Sequence, residues 1–228
     1  YEAGDDLRYI DWNIYARLGR LAVKVFSSEE DLSIHFLLDA SASMVSGKPA
    51  KFEYACRLCA ALAYIGIMNL DRVGITAFRD GPEETLAPVR RRNIFPILDY
   101  LSRTEIRGRT DFNGSVGRIA RAGGNPGLAI VVSDLLCPEG FKEGLMSLLY
   151  HRWDIILLHV LDRQEFEPVL GGDIRLVDTE TGRKIDLVVD RRVRSLYREK
   201  AAEYLKDIES FCMNKGIEYV TAFTDVPF

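Results

Sequence analysis

No apolar run in this sequence reaches the ~18 residues that a membrane span requires, and no segment has the pattern of a secretory signal peptide. A cytoplasmic domain is therefore expected. Histidine is scarce, three in 228 residues, which leaves few candidates for a general base or a zinc ligand. The four cysteines, Cys56, Cys59, Cys137 and Cys212, have no framework spacing and suit a reducing compartment. Cys56-x-x-Cys59 has the form of a redox or zinc half-site, but no second CxxC or His pair completes it. It lies inside an apolar helical pattern, where free cysteines pack as small hydrophobes. Neither the phosphate-binding Walker A loop nor the dinucleotide glycine fingerprint occurs. A net charge of -4 offers no whole-chain case for nucleic acid or an anionic membrane. The cluster Arg90-Arg91-Arg92 is short enough to be a solvated helix lead-in. Repeats and low-complexity tracts are absent.

What is present is a chain with 47% hydrophobic residues, enough for one large domain with a real core. Its organising stretch runs from Ile34 to Met44. An apolar run, Ile34 to Leu38, ends in a carboxylate and two hydroxyls at every second position: Asp39, Ser41 and Ser43. A second apolar run, Leu128 to Val132, ends in Ser133-Asp134, and a third, Asp154 to Leu161, ends in Asp162. Continuous apolar runs of this length mark buried parallel strands.

Between them lie helical patterns. Lys51 to Asn69 is apolar on more than one face, and Ile94 to Leu101, Phe112 to Ala122 and Pro138 to Tyr150 follow. Asp71 to Phe78 reads as a second strand and Glu84 to Val89 as a short antiparallel edge strand. Asp173 to Val177 and Lys184 to Val189 read as a β-hairpin, which breaks the alternation as an insertion near 172–190. Asp190 is placed to cap a long helix that stops at Gly216, and Ile217 to Phe223 is the last strand. Strands alternating with helices predict an α/β, three-layer, Rossmann-like fold with a mostly parallel central sheet.

In such a sheet the loops after the strands gather on one edge. Three of them carry oxygen ligands: Asp39-x-Ser41-x-Ser43, the Gly108-Arg109-Thr110-Asp111 loop, and Asp134. Carboxylates and hydroxyls are hard donors, suited to Mg²⁺ or Mn²⁺ rather than zinc. A partner's carboxylate could complete the shell of such an ion. Asp111 is either the cap of the next helix or an added negative charge at the site. Arg107 and Arg109 could pair with acidic residues near the N-terminus or steer an acidic partner.

Asp39-Ala40-Ser41-Ala42-Ser43, followed by Thr110 and then Asp134, resembles the metal-ion-dependent adhesion site of von Willebrand factor type A domains. The resemblance spans roughly Leu32 to Phe223. It implies Ser41 and Ser43 as direct ligands, Thr110 as a direct or switchable ligand, and Asp39 and Asp134 as acids that bind directly or through water. Many type A domains have a more glycine-rich threonine loop than Arg107-Gly108-Arg109. The N-terminal motif Gly4-Asp5-Asp6-x-Arg8-x-Ile10-Asp11-Trp12, with Ala16-Arg17, is similar to the signature of a bacterial family, domain of unknown function 58. The chain then divides into a signature segment, 1–30, and a type A-like domain, 31–228. Members are commonly encoded beside MoxR-type AAA+ ATPases, which implies such a partner. Their upstream region often carries membrane helices. This sequence opens at Tyr1 rather than Met, inside the polar motif, and reads as the trimmed start of a longer protein.

The signature segment has two readings. It is either a solvated lead-in with Trp12 as an aromatic anchor, or a structured interaction element. Leu21 to Phe26 alternates like a strand.

The residues favour a binding device over an enzyme. An alternative is a metal-dependent phosphohydrolase using Asp39. That chemistry needs a second acid two residues on, where this chain has Ser41. A serine nucleophile would need a His base, yet His35 and His159 fall inside strands and His151 at a helix end.

Overall fold

The computed structural model describes residues 15, 17, 19, 32–80, 84–89, 93–122, 126–166, 172–177, 182 and 184–227. The chain forms two compact units, residues 1–31 and 32–228. In the first, Tyr15 and Arg17 are helical and the Gly19 N–H donates to the Tyr15 carbonyl at 2.9 Å. The motif Gly4–Trp12, the segment Leu21–Phe26 and the cluster Arg90–Arg92 lie outside the described residues.

The second unit runs β1 (Ser33–Asp39), α1 (Lys51–Met68), β2 (Arg72–Phe78), β3 (Glu84–Val89), α2 (Phe95–Arg103) and α3 (Phe112–Arg121). It continues with β4 (Leu128–Ser133), α4 (Lys142–Tyr150), β5 (Asp154–Leu161), α5 (Arg163–Phe166), β6 (Gly172–Val177), β7 (Lys184–Val189), α6 (Arg191–Lys215) and β8 (Glu218–Phe223). Six strands form one sheet in the order β3-β2-β1-β4-β5-β8. Every neighbouring pair is parallel except β2 and the edge strand β3. The predicted three-layer α/β architecture and its antiparallel edge are therefore observed.

Alternation along β1 divides the core. Ile34, Phe36 and Leu38 point to one face, where they pack with Phe52, Cys59 and Ile67 of α1 and Ile97 of α2. Leu37 points to the other, among Phe112 of α3, Leu145 of α4 and Ile208 of α6. The Cys56-x-x-Cys59 pair belongs to the first core. Cys59 is fully buried, and all four cysteines are free thiols.

The hairpin β6–β7 forms its own two-stranded antiparallel sheet, as expected of an insertion. The Asp190 side chain accepts from the Val193 N–H at 2.8 Å and caps α6. Gly216 ends that helix in the left-handed region at φ 67°, where a Cβ would be strained. One boundary is corrected. Helix α4 starts at Lys142, not Pro138, because Cys137 to Gly140 closes a turn (Gly140 N–H to Cys137 O, 2.9 Å) with Gly140 at φ 81°. Among the described residues no helix is long and apolar enough to cross a membrane.

His35 lies on β1, half-buried, with Nε2 2.7 Å from the Thr76 hydroxyl. Burial pulls its imidazole down from 6.5 to about 4. Between these values the unfolded chain binds the extra proton and the folded chain does not, so stability falls as pH drops from 6.5 to about 4. His35→Gln should remove up to about 3 kcal/mol of that loss. Urea unfolding near neutral pH and again in mild acid checks this: the variant should lose less stability than the wild type.

Candidate metal centre

Strands β1 and β4 are parallel neighbours, with Leu38 opposite Val132. Asp39 and the pair Ser133-Asp134 therefore leave the sheet side by side. The helix after β1 covers one face and the helix after β4 the other. This is the switch point of an open α/β sheet, where a crevice forms beyond the carboxyl ends of the strands.

Asp39 is fully buried. Its Oδ1 accepts from the Ser41 N–H at 3.0 Å and its Oδ2 from the Ser133 hydroxyl at 2.6 Å. Among the described residues no cation contacts it. Burial first, and the Asp134 charge second, push its carboxyl up to about 7. Beyond it the chain turns through a short 3-10 helix, Ala42–Val45, which sets the Ser41 and Ser43 hydroxyls 3.0 Å apart.

Asp134 is held from every side. Its Oδ1 accepts from the Leu136 N–H at 3.0 Å, and its Oδ2 accepts from the Lys51 ammonium at 2.7 Å. Its backbone carbonyl lies 2.9 Å from His159 Nε2. A carbonyl can only accept, so Nε2 carries the proton and Nδ1 accepts from the Tyr219 hydroxyl at 2.8 Å. His159 is fully buried, and burial pulls it down to about 4, which keeps it neutral. The next residue, Leu135, takes a left-handed φ of 53°, a conformation that costs a branched side chain about 1–3 kcal/mol. Its N–H donates to the Ser133 hydroxyl at 2.9 Å, and its carbonyl accepts from the Tyr204 hydroxyl.

Thr110 sits on the loop before α3 and is buried. Two backbone bonds tie this loop to the β1 turn: Ala42 N–H to Gly108 O at 3.1 Å and Arg107 N–H to Ala40 O at 3.1 Å. Gly108 is required there. Its φ is 75°, and a Cβ would collide with the Asp80 carboxylate. Thr110 also lines a surface pocket of about 410 Å³ with Asp80, Asp111 and Glu139. Asp111 accepts from the Gly114 N–H at 3.0 Å, so it caps α3.

The loops that carry Asp39, Ser41, Ser43, Thr110 and Asp134 thus meet at one edge of the sheet. Sequence reasoning missed two charged groups beside them. Lys51, the first residue of α1, is fully buried, and its ammonium also reaches Glu165 Oε1 at 2.5 Å. Burial pulls that ammonium down, but Asp134 and Glu165 outweigh it and hold it above its ordinary value. The only sequence signal was a cation at a helix N-terminus, where the macrodipole disfavours it.

Among the described residues no group of three or more His, Cys, Asp or Glu side chains is arranged to hold a metal ion. A cation here would rest on hydroxyl oxygens and at most two aspartates. That donor set is hard and suits Mg²⁺ or Mn²⁺.

A family comparison matches residues 1–206 to the family described as Protein of unknown function DUF58. The chain belongs to this family. The DUF58 chain is 24% identical over 232 residues to the uncharacterized protein Rv1480 of Mycobacterium tuberculosis, covering 99% of itself and 73% of that relative. Among solved structures it is similar to an aerotolerance-related membrane protein from Bacteroides fragilis carrying multiple mutations to serines (TM-score 0.52, 16% identity, 84% of this chain and 91% of that one). It is also similar to the conserved hypothetical protein BatB from Bacteroides thetaiotaomicron (TM-score 0.51, 15% identity, 84% and 90%). At these identities the likeness concerns the fold alone. The strand order and the layers are those of a von Willebrand factor type A-like fold.

The different environments of the two aspartates predict opposite effects of one isosteric change. In metal-free buffer above neutral pH, Asp39→Asn removes a buried charge that has no cation and should stabilise by about 1–3 kcal/mol. Asp134→Asn takes one of its two carboxylate partners from the buried Lys51, leaving Glu165, and should destabilise by about 1–2 kcal/mol. Thermal melting of both variants in EDTA checks the signs.

Proposed function

We propose that this DUF58 domain is a non-catalytic, divalent-cation-dependent protein-interaction module. The observation that carries this is Asp39, a fully buried carboxylate without a cationic partner among the described residues, beside two facing hydroxyls. Ser41 and Ser43 would hold Mg²⁺ or Mn²⁺ directly, and Thr110 directly or as a switchable ligand. Asp39 and Asp134 would act directly or through water. The bound ion supplies an electrophile for a carboxylate of the partner. The protein's share is to hold the hydroxyls in place, keep the aspartates ionised next to the ion and leave one side open.

The partner is an acidic group on another protein, and a MoxR-type AAA+ ATPase is the partner that the family context implies, in bacterial complex assembly or maturation. No observation favours the phosphohydrolase alternative: the position two residues after Asp39, where a general acid would be needed, is a serine.

Calorimetric titration with Mg²⁺ and with Mn²⁺ tests the reading. The wild type should bind, and Asp39→Ala should not. Equal behaviour of the two proteins would sink it. Co-purification with a MoxR-type ATPase should occur in Mg²⁺ and be lost in EDTA. A phosphatase screen that found turnover abolished by Asp39→Ala would favour the alternative instead.

A further inference from the structure

Lys51 is out of place as a structural residue. It is a cation at the N-terminus of an 18-residue helix, against the macrodipole, with its side chain fully buried. A buried ion pair is often no more stabilising than apolar residues of the same volume. Helix α1 needs only packing at that position, which a methionine would provide. The ammonium nevertheless reaches 2.7 Å from Asp134 Oδ2 and 2.5 Å from Glu165 Oε1.

Glu165 is itself anchored. Its Oε1 lies 2.7 Å from the Ser46 hydroxyl, which is also 3.0 Å from the Ser43 carbonyl, and its backbone carbonyl accepts from the Tyr197 hydroxyl of α6. Lys51 is therefore pinned between the loops after β1, β4 and β5. It neutralises the one aspartate that it touches and leaves Asp39 alone.

We propose that Lys51 is a positioning residue of the metal centre. It occupies Asp134 with an internal cation, so that this carboxylate does not coordinate a divalent ion directly. An ion in the site is then held mainly by neutral hydroxyls and keeps enough uncompensated charge to attract a partner's carboxylate. The inference rests on the divalent-cation reading above. The physical basis is repulsion: an ammonium 2.7 Å from Asp134 Oδ2 and a divalent ion on the same buried carboxylate are like charges a few ångströms apart, so each weakens the other's hold on it.

The test compares Mn²⁺ affinity, by calorimetry, and the Mn²⁺-induced rise in melting temperature, in the wild type and in Lys51→Met. The variant should melt lower than the wild type in EDTA. It should bind Mn²⁺ about tenfold more tightly or better, and show the larger rise on adding Mn²⁺. Adding Asp134→Asn to Lys51→Met should abolish the gain. If Lys51→Met does not fold, the double variant Lys51→Met/Glu165→Gln, which leaves one unpaired carboxylate, Asp134, instead of two, carries the same comparison. A purely structural lysine would lower the melting temperature equally with and without Mn²⁺ and leave affinity unchanged or weaker. That result, with the wild type binding Mn²⁺ and Asp39→Ala not, would overturn the role of Lys51 while the metal centre stands. Absence of Mn²⁺ binding in every protein, wild type included, would overturn both.

Discussion

Two buried carboxylates at the ends of adjacent parallel strands set the terms for everything near them. Asp39 and Asp134 are each shielded from water, and their positions follow from the β1–β4 pairing. The charge of Asp134 adds to burial in disfavouring an ionised Asp39. The chain relieves this unequally. Asp134 receives a full counter-charge from Lys51 and a backbone N–H. Among the described residues Asp39 receives only dipoles, from Ser41 and the Ser133 hydroxyl. That asymmetry leaves a negative hole at the Asp39 side, which a proton or an external cation can fill. Under the proposed function the nearby hydroxyls of Ser41 and Ser43 would share in holding the cation.

Much of this was legible in the chain because it is local. An apolar run that stops in Asp39-x-Ser41-x-Ser43 declares both a buried strand and the chemistry at its end. Leu128 to Asp134 does the same, and strand–helix alternation fixes which edge the ends share. Asp190 and Gly216 read as cap and stop because each acts within a few residues of itself. What was hidden is non-local. Lys51 looks like any polar residue opening a helix, since its partners lie 83 and 114 residues away. Ser133 reads as a strand end, although its hydroxyl links Asp39 to the Leu135 turn. The start of α4 was misplaced because Pro138 is compatible with a first helical turn, whereas the left-handed Gly140 that interrupts it is a property of the folded turn.

The polar groups around Asp134 serve rigidity. A neutral His159 and Tyr219 fix its backbone, Tyr204 fixes the carbonyl that follows, and the left-handed Leu135 is held by these bonds at a cost the core absorbs. Both aspartates accept hydrogen bonds on each oxygen, and His159 is spent on architecture. Such a floor suits recognition, where a fixed arrangement of donors loses little entropy on binding.

The rim is built differently from the floor. Thr110 reaches the edge on a loop whose Gly108 carbonyl and Arg107 N–H are bonded to the β1 turn, and it borders a solvent-facing pocket. The fold therefore separates two tasks: Lys51, His159 and the tyrosines hold the charged floor still, and under the proposed function the Thr110 loop, at the solvent side, is the part that would meet a partner. A site in which the same residues did both would have to loosen a buried charge each time it bound, and the low-dielectric interior makes that the most expensive motion available.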